Sequence, residues 1–264
     1  MPRSLVLPLL VVLASPLLAQ EPQERVLLPV GQQGYLANQW GTIIQFYNGG
    51  TTPVPYYPYR TFCIPRPPYT CSAPRIQPRQ IVAPILLTMP SDLPTPGAFI
   101  YFPKDAIDSV HISARVSHFS RTEPAYDGGM QLPAVRSHEF TSDRIVLLRI
   151  TLQPHLSQTL RIYEDGNRGG LQLRLRFFDD SQTFGERIVT THRAESSDSP
   201  PPYGPIHPGG LQINDLLAAF PELNLAVRYG VNLEITPVEP GMRFWAFLSM
   251  TNRSTNEVTL VVPE

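Results

Sequence analysis

Proline occupies 30 of the 264 positions, about one residue in nine and roughly twice the usual share. Inside an α-helix a Pro removes a hydrogen bond and clashes with the preceding turn, at a cost of about 3 kcal/mol. A chain punctuated this often has no room for long helices. It must build from short extended segments, with Pro held to sheet edges, strand ends and loops. The prolines concentrate around 53–103 and 200–208 and are sparse in 144–178 and 231–262.

The Pro-poor stretches alternate with a period of two. Leu171, Leu173, Leu175 and Phe177 are interleaved with Gln172, Arg174 and Arg176, and Val231, Leu233 and Ile235 with Asn232 and Glu234. Val258, Leu260 and Val262 form another such set, as do Val110, Ile112, Ala114 and Val116. Alternation of this kind puts one face of a strand in a core and the other in water, as in antiparallel sheets. The Gly- and Asn-containing EDGNRGG at 164–170 predicts a hairpin between Thr159–Tyr163 and Leu171–Phe178. One short helix is expected within Leu211–Phe220, capped by Asn214 or Asp215. ESSDSPPPYGPIHPGG at 195–210 reads as a surface loop.

The two halves of the chain resemble each other. RVLLPV at 25–30 parallels IVLLRI at 145–150, and GTIIQFYNGG at 41–50 parallels QTLRIYEDG at 158–166. VHISARVSHFS at 110–120 parallels WAFLSMTNRS at 245–254. A duplication into β-sandwich units at 25–135 and 144–264, each the size of one such domain, accounts for this.

Residues 1–19 have the form of a cleaved signal peptide, with Arg3, an apolar run from Leu5 to Leu13 broken by Pro8, and a small-residue cleavage site at Ala19. The run is shorter than the roughly 20 residues of a membrane helix. The mature chain is expected to be soluble, secreted or periplasmic, with no membrane span. In that compartment Cys63 and Cys71, the only two cysteines, are expected to form a disulfide closing a short Pro-rich loop. A net charge of -1 gives no electrostatic basis for binding nucleic acid. With 42% hydrophobic residues, the chain is not disordered.

Trp40 followed by TIIQFYNGGTTPV, and the closing FWAFLSMTNRSTNEVTLVVPE at 244–264, resemble uncharacterised secreted bacterial tandem β-sandwich proteins. Across most of the mature chain that resemblance implies an all-β fold of two tandem immunoglobulin-like antiparallel β-sandwich units behind the signal peptide. It carries no catalytic residues. The Cys63–Cys71 segment and the 195–210 loop depart from the pattern.

Motifs for chemistry are scarce. There is no G-x-S-x-G elbow, and the six histidines follow no metal-ligand spacing. The carboxylate pairs Glu164–Asp165 and Asp179–Asp180 read as turn residues. No cofactor is expected beyond weak Ca²⁺ binding at EDGN (164–167) or FFDDS (177–181), neither of which is a full calcium loop. Arg161, Arg174 and Arg176 are expected on outward faces of the hairpin, as a solvated face or a stripe for anionic polysaccharide. Aromatic residues crowd the segment from Tyr35 to Tyr69, where Trp40, Tyr56, Tyr57, Tyr59 and Tyr69 are the candidate ligand-binding residues, beside Tyr47. Their rings either cover an edge strand or stack on a sugar or protein partner.

The leading expectation is a non-catalytic exported protein acting as a structural, adhesion or protein-interaction module. Its partner would be a protein or an extracellular glycan surface. A carbohydrate-binding module using the 35–69 aromatics is the alternative. A β-sandwich hydrolase or lyase comes third, since it would need carboxylates converging across a cleft. On reduction, the intact mass of the purified mature protein should rise by two hydrogens; an unchanged mass would exclude the Cys63–Cys71 bond.

Overall fold

The structure is a computed structural model that describes residues 23–29, 40–57, 74–82, 85–87, 93–118, 129–195, 205–225, 231–255 and 257–263. The expected signal peptide, Cys63, Cys71, Tyr35, Tyr59 and Tyr69 lie outside these residues. The fold is all-β, with antiparallel strand pairs and one short helix among the described residues.

Four sheets carry the structure. Sheet I has the order β5-β2-β7-β8, from β2 (Trp40–Asn48), β5 (Ile85–Leu87), β7 (Val110–His118) and β8 (Gly129–Leu132). Sheet II is β6-β1-β9, with β1 (Gln23–Pro29) between β6 (Gly97–Pro103) and β9 (Val135–Arg136). Sheet III is β14-β11-β16-β17, from β11 (Leu156–Glu164), β14 (Gly210–Ile213), β16 (Phe244–Asn252) and β17 (Val258–Val261). Sheet IV is β10-β15-β12-β13, from β10 (Ile145–Ile150), β12 (Gln172–Phe178), β13 (Thr183–Thr190) and β15 (Val231–Pro237). A two-residue ladder of β3 (Val54–Pro55) with β4 (Arg75–Ile76) reaches β6 through a bridge between Tyr57 and Tyr101.

Side-chain parity explains how the sheets stack. Val26, Leu28, Ala98, Ile100 and Phe102 of sheet II pack on Ile44, Phe46, Ala114 and Val116 of sheet I. Leu160, Ile162, Ala246 and Leu248 of sheet III pack on Leu173, Leu175, Leu233 and Ile235 of sheet IV. The intervening residues form a third core: Leu27, Phe99, Tyr101 and Val135 of sheet II meet Tyr163, Trp245 and Phe247 of sheet III. Sheets II and III are therefore covered on both faces. This is why GAFIYFP (97–103) is buried throughout and why β16 from Phe244 to Met250 is buried without interruption. Among the described residues sheets I and IV keep a wet face, and β2, β12 and β15 there alternate cleanly.

The strand order repeats. β2 lies between β5 and β7 as β11 lies between β14 and β16, and β1 pairs with β6 as β10 pairs with β15. Tyr47 faces His111 across the β2–β7 ladder, where Tyr163 faces Trp245 across β11–β16. Each Tyr is followed by a buried polar residue that ties down the next turn. Asn48 donates to Thr52 O and Ile76 O and accepts from Gly50 N, while Glu164 accepts from the amides of Arg168 and Gly169.

Two expectations need correction. The 159–163 and 171–178 segments do not form a hairpin: β11 is in sheet III and β12 in sheet IV, so EDGNRGG crosses from one sheet to the other. Gly169 and Gly170, at φ +71° and +81°, carry the reversal. A turn signal specifies that the chain reverses, and it does not specify which sheet receives the next strand. The 195–210 segment is not simply a surface loop. Its described part, from Pro205, lies against β6: Phe99 N donates to Ile206 O, Tyr101 Oη to Pro205 O, and the His207 ring bonds Gly97 O. The helix α1 (Leu216–Ala219) does start at Asp215, whose carboxylate accepts from Ala218 N at 3.1 Å.

Gly210 ends this strap where there is no room for a side chain. A Cβ there would stand 2.2 Å from Ile162 O and 2.3 Å from Thr95 Cγ2. Gly210→Ala should therefore lower unfolding free energy by about 2 kcal/mol or more, as overpacking does, and shift the urea midpoint down.

Candidate interaction site at the junction

The third core is the most elaborate feature of the molecule, and polar groups rim it. Arg25, on the face of β1 that carries Leu27, ion-pairs with Asp165 and lies 4.6 Å from the Phe99 ring centroid. Asp165 also pairs with Arg243 at 3.2 Å. Arg243 in turn donates to the carbonyls of Ser137 and Phe140, in the segment that leads from β9 to β10. One carboxylate thus gathers β1, the end of β11, the approach to β16 and the connecting segment. Further bonds cross the same boundary: Tyr163 Oη donates to Pro96 O at 2.8 Å, and Thr141 and Phe244 exchange backbone hydrogen bonds.

Arg161 is buried here, contrary to its expected outward position. Its guanidinium donates to Gln212 Oε1 and Ser249 Oγ and lies over the Phe247 ring at 5.5 Å. Burial disfavours its charge and lowers its pKa. Arg174 and Arg176 do lie on the outer face of sheet IV, where Glu186 and Glu234 pair with them. They form a mixed-charge ladder and not a basic stripe. The sequence signal for Arg161 was alternation, which identifies a face and cannot say whether another sheet covers it.

Of the aromatic candidates, Tyr56 and Tyr57 have described surroundings, and these differ. Tyr56 lies in the core between sheets I and II, 7% exposed, its ring 5.1 Å from that of Phe46. Tyr57 is half-buried and packs on the junction core. Tyr56 thus offers no free ring face to a ligand. Trp40 starts β2 opposite His118. Trp245 is a core residue, but its core is the one between sheets II and III. Among the described residues an exposed aromatic pair is instead Tyr47 stacked on His111, ring centroids 5.8 Å apart, on the outer face of sheet I. The sequence places Tyr47 in the aromatic cluster but outside the candidate set, which includes the buried Tyr56.

Three of the carboxylates considered for Ca²⁺ are engaged otherwise. Glu164 accepts from Thr191 and two backbone amides, Asp165 holds two arginines, and Asp179 accepts from Ser181 and Gln182. Among the described residues no group of three or more His, Cys, Asp or Glu is placed to hold a metal, and no helix is long and apolar enough to cross a membrane. Two cavities flank the junction. One, of about 160 Å³, lies beside Asp165, Arg168 and Arg243. The other, of about 330 Å³, lies between Glu139, Thr141 and Arg144 on one side and Trp245 and Pro263 on the other. Compared with protein-family models, curated proteins and solved structures, the chain matches none.

Tyr101 reports on the junction. Burial pushes its phenol pKa up to about 12, with Arg25 opposing the shift. The folded state therefore holds this proton more tightly than the unfolded chain. The associated stability is complete below pH 10 and is lost as pH rises from 10 towards 12. Tyr101→Phe should flatten the fall in melting temperature across that interval, and an unchanged alkaline profile would exclude Tyr101 as its source.

Proposed function

We propose that the protein is an exported, non-catalytic pair of immunoglobulin-like β-sandwiches that serves as a structural, adhesion or protein-interaction module, secreted or periplasmic after loss of its signal peptide. The observation that carries this reading is the junction. Tyr163, Trp245 and Phe247 lock sheet III onto sheet II, and the Arg25–Asp165–Arg243 cluster and the 205–210 strap add cross-links. Such a body transmits position between its two ends and presents two outer sheet faces at a fixed separation. Inter-domain motion is the default unless the interface is large and hydrophobic, and here it is a core. The repeated strand order supports the tandem-unit reading.

A glycan-binding reading has one observation in its favour, the exposed Tyr47–His111 stack beside Gly49. A flat ring face with small neighbours suits stacking on a sugar.

Small-angle scattering on the mature protein should fit one rigid two-lobed particle. Tyr163→Ser/Phe247→Ser should enlarge the radius of gyration while the strand signal in circular dichroism persists. Independent motion of two lobes in the unmutated protein would sink the rigid-module reading. On a glycan array, Tyr47→Ala should leave the profile of an interaction module unchanged; loss of a specific glycan signal would favour the second reading.

A further inference from the structure

Sheets II and IV differ at the outer edge of the strand that opens each. In sheet II the outer edge of β1 is closed by β9, which pairs Val135 with Leu27 and Arg136 with Val26 in antiparallel register. In sheet IV β10 takes the place of β1, with β15 on one side, and among the described residues no strand pairs with its other edge. The 330 Å³ cavity lies beside that edge. Val146 and Leu148 of β10 line it, with the Trp245 indole, Pro263, Glu139 and Arg144. We propose that this edge and cavity form a strand-addition site for an extended segment of a partner protein, bound antiparallel to β10.

The first sheet pair shows what such an occupant looks like. At β1 the seated segment is Val135–Arg136. The valine is fully buried in the junction core, and the arginine reaches Asp108 at 2.5 Å and Glu24 at 3.6 Å. Two residues are enough there because the side chains are anchored on both sides of the backbone. At β10 the corresponding features are an apolar recess formed by Val146, Leu148 and Trp245 and an acidic wall residue, Glu139, while Arg144 on the same wall is paired with Glu234 at 3.7 Å. The cavity is at the small end of the range for ligand pockets. That size fits one or two side chains of a peptide better than a cofactor. Backbone pairing supplies affinity in this mode, and the side-chain recess supplies selection. The occupant expected is an extended segment with a branched apolar residue followed by a basic one. β10 is suited to a short visitor, because its register with β15 slips between Leu147 and Ile150 around Arg149 at φ +56°, which limits the straight edge.

This proposal rests on the interaction-module reading and makes it specific. The probe is a synthetic peptide of residues 131–138 of this chain, QLPAVRSH, which contains the segment that fills the equivalent edge. Titrated into the ¹⁵N-labelled mature protein, it should produce saturable shifts confined to the amides of β10 and the Trp245 indole. The shifts should vanish with a peptide carrying Asp in place of its valine. Leu148→Arg in the protein should weaken binding at least tenfold without altering the remaining spectrum. In the free protein, the amides of Ile145–Leu148 that face away from β15 should exchange with solvent quickly. Absence of saturable shifts at about 1 mM peptide, or full protection of both sets of β10 amides in the free protein, would overturn the site. Neither outcome touches the rigidity measured by scattering, so the site and the module reading fail separately.

Discussion

Every layer of this molecule depends on the aromatic contact between sheets II and III. β1 and β6 carry apolar residues on both faces, so sheet I can cover only half of them. Without sheet III, Leu27, Phe99, Tyr101 and Val135 would face water together, as would Tyr163, Trp245 and Phe247. Burying a large apolar side chain is worth about 1.5–3 kcal/mol, so seven such residues outweigh any single ion pair at the rim. The Arg25–Asp165–Arg243 cluster sets the register of the contact, and the aromatic layer supplies its strength.

That contact also explains an asymmetry between the repeats. Tyr163, Trp245, Phe247 and Ser249 alternate on the face of sheet III that is covered. At the corresponding ladder positions of sheet I stand Tyr47, His111, Ser113 and Arg115, all exposed. The Tyr is retained, while the partners that would make the face sticky are polar. Packing one sheet pair onto the next through different sheets is a head-to-tail contact, which propagates into fibres when both ends remain complementary. Polar residues on sheet I, and the Arg–Glu ladder on sheet IV, end the stack at two pairs. The strap at 205–210 reinforces the order, because the edge of β6 that β3 and Tyr57 cover only in part receives Ile206 from the second half of the chain.

Much of this was legible beforehand, and the misses share a cause. Strands with one wet face, such as β12 and β15, alternate cleanly and were read correctly. The helix cap narrows to Asn214 or Asp215 from sequence because capping is local, and the structure selects Asp215. The hairpin at 164–170, the outward Arg161 and the surface loop at 195–210 were misread because each depends on a neighbour far away in the chain. Arg161 has a strand's alternation on a face that another sheet happens to cover. Tyr56 and Tyr47 belong to one aromatic cluster in sequence, yet one ring fills a core beside Phe46 and the other lies in solvent. Spacing alone does not separate them, since β3 is only two residues long and Pro53 and Pro55 bound it.

By itself, the sequence determined that this chain would be extended, short-stranded and loop-punctuated, because proline acts on the backbone of its own neighbourhood and alternation is a property of a single strand. Only the tertiary structure decided that the two halves share a core, that Arg161 is buried, and where the 205–210 strap docks. Those outcomes turn on which apolar face meets which other, a long-range choice made by the total surface removed from water and written in no single segment.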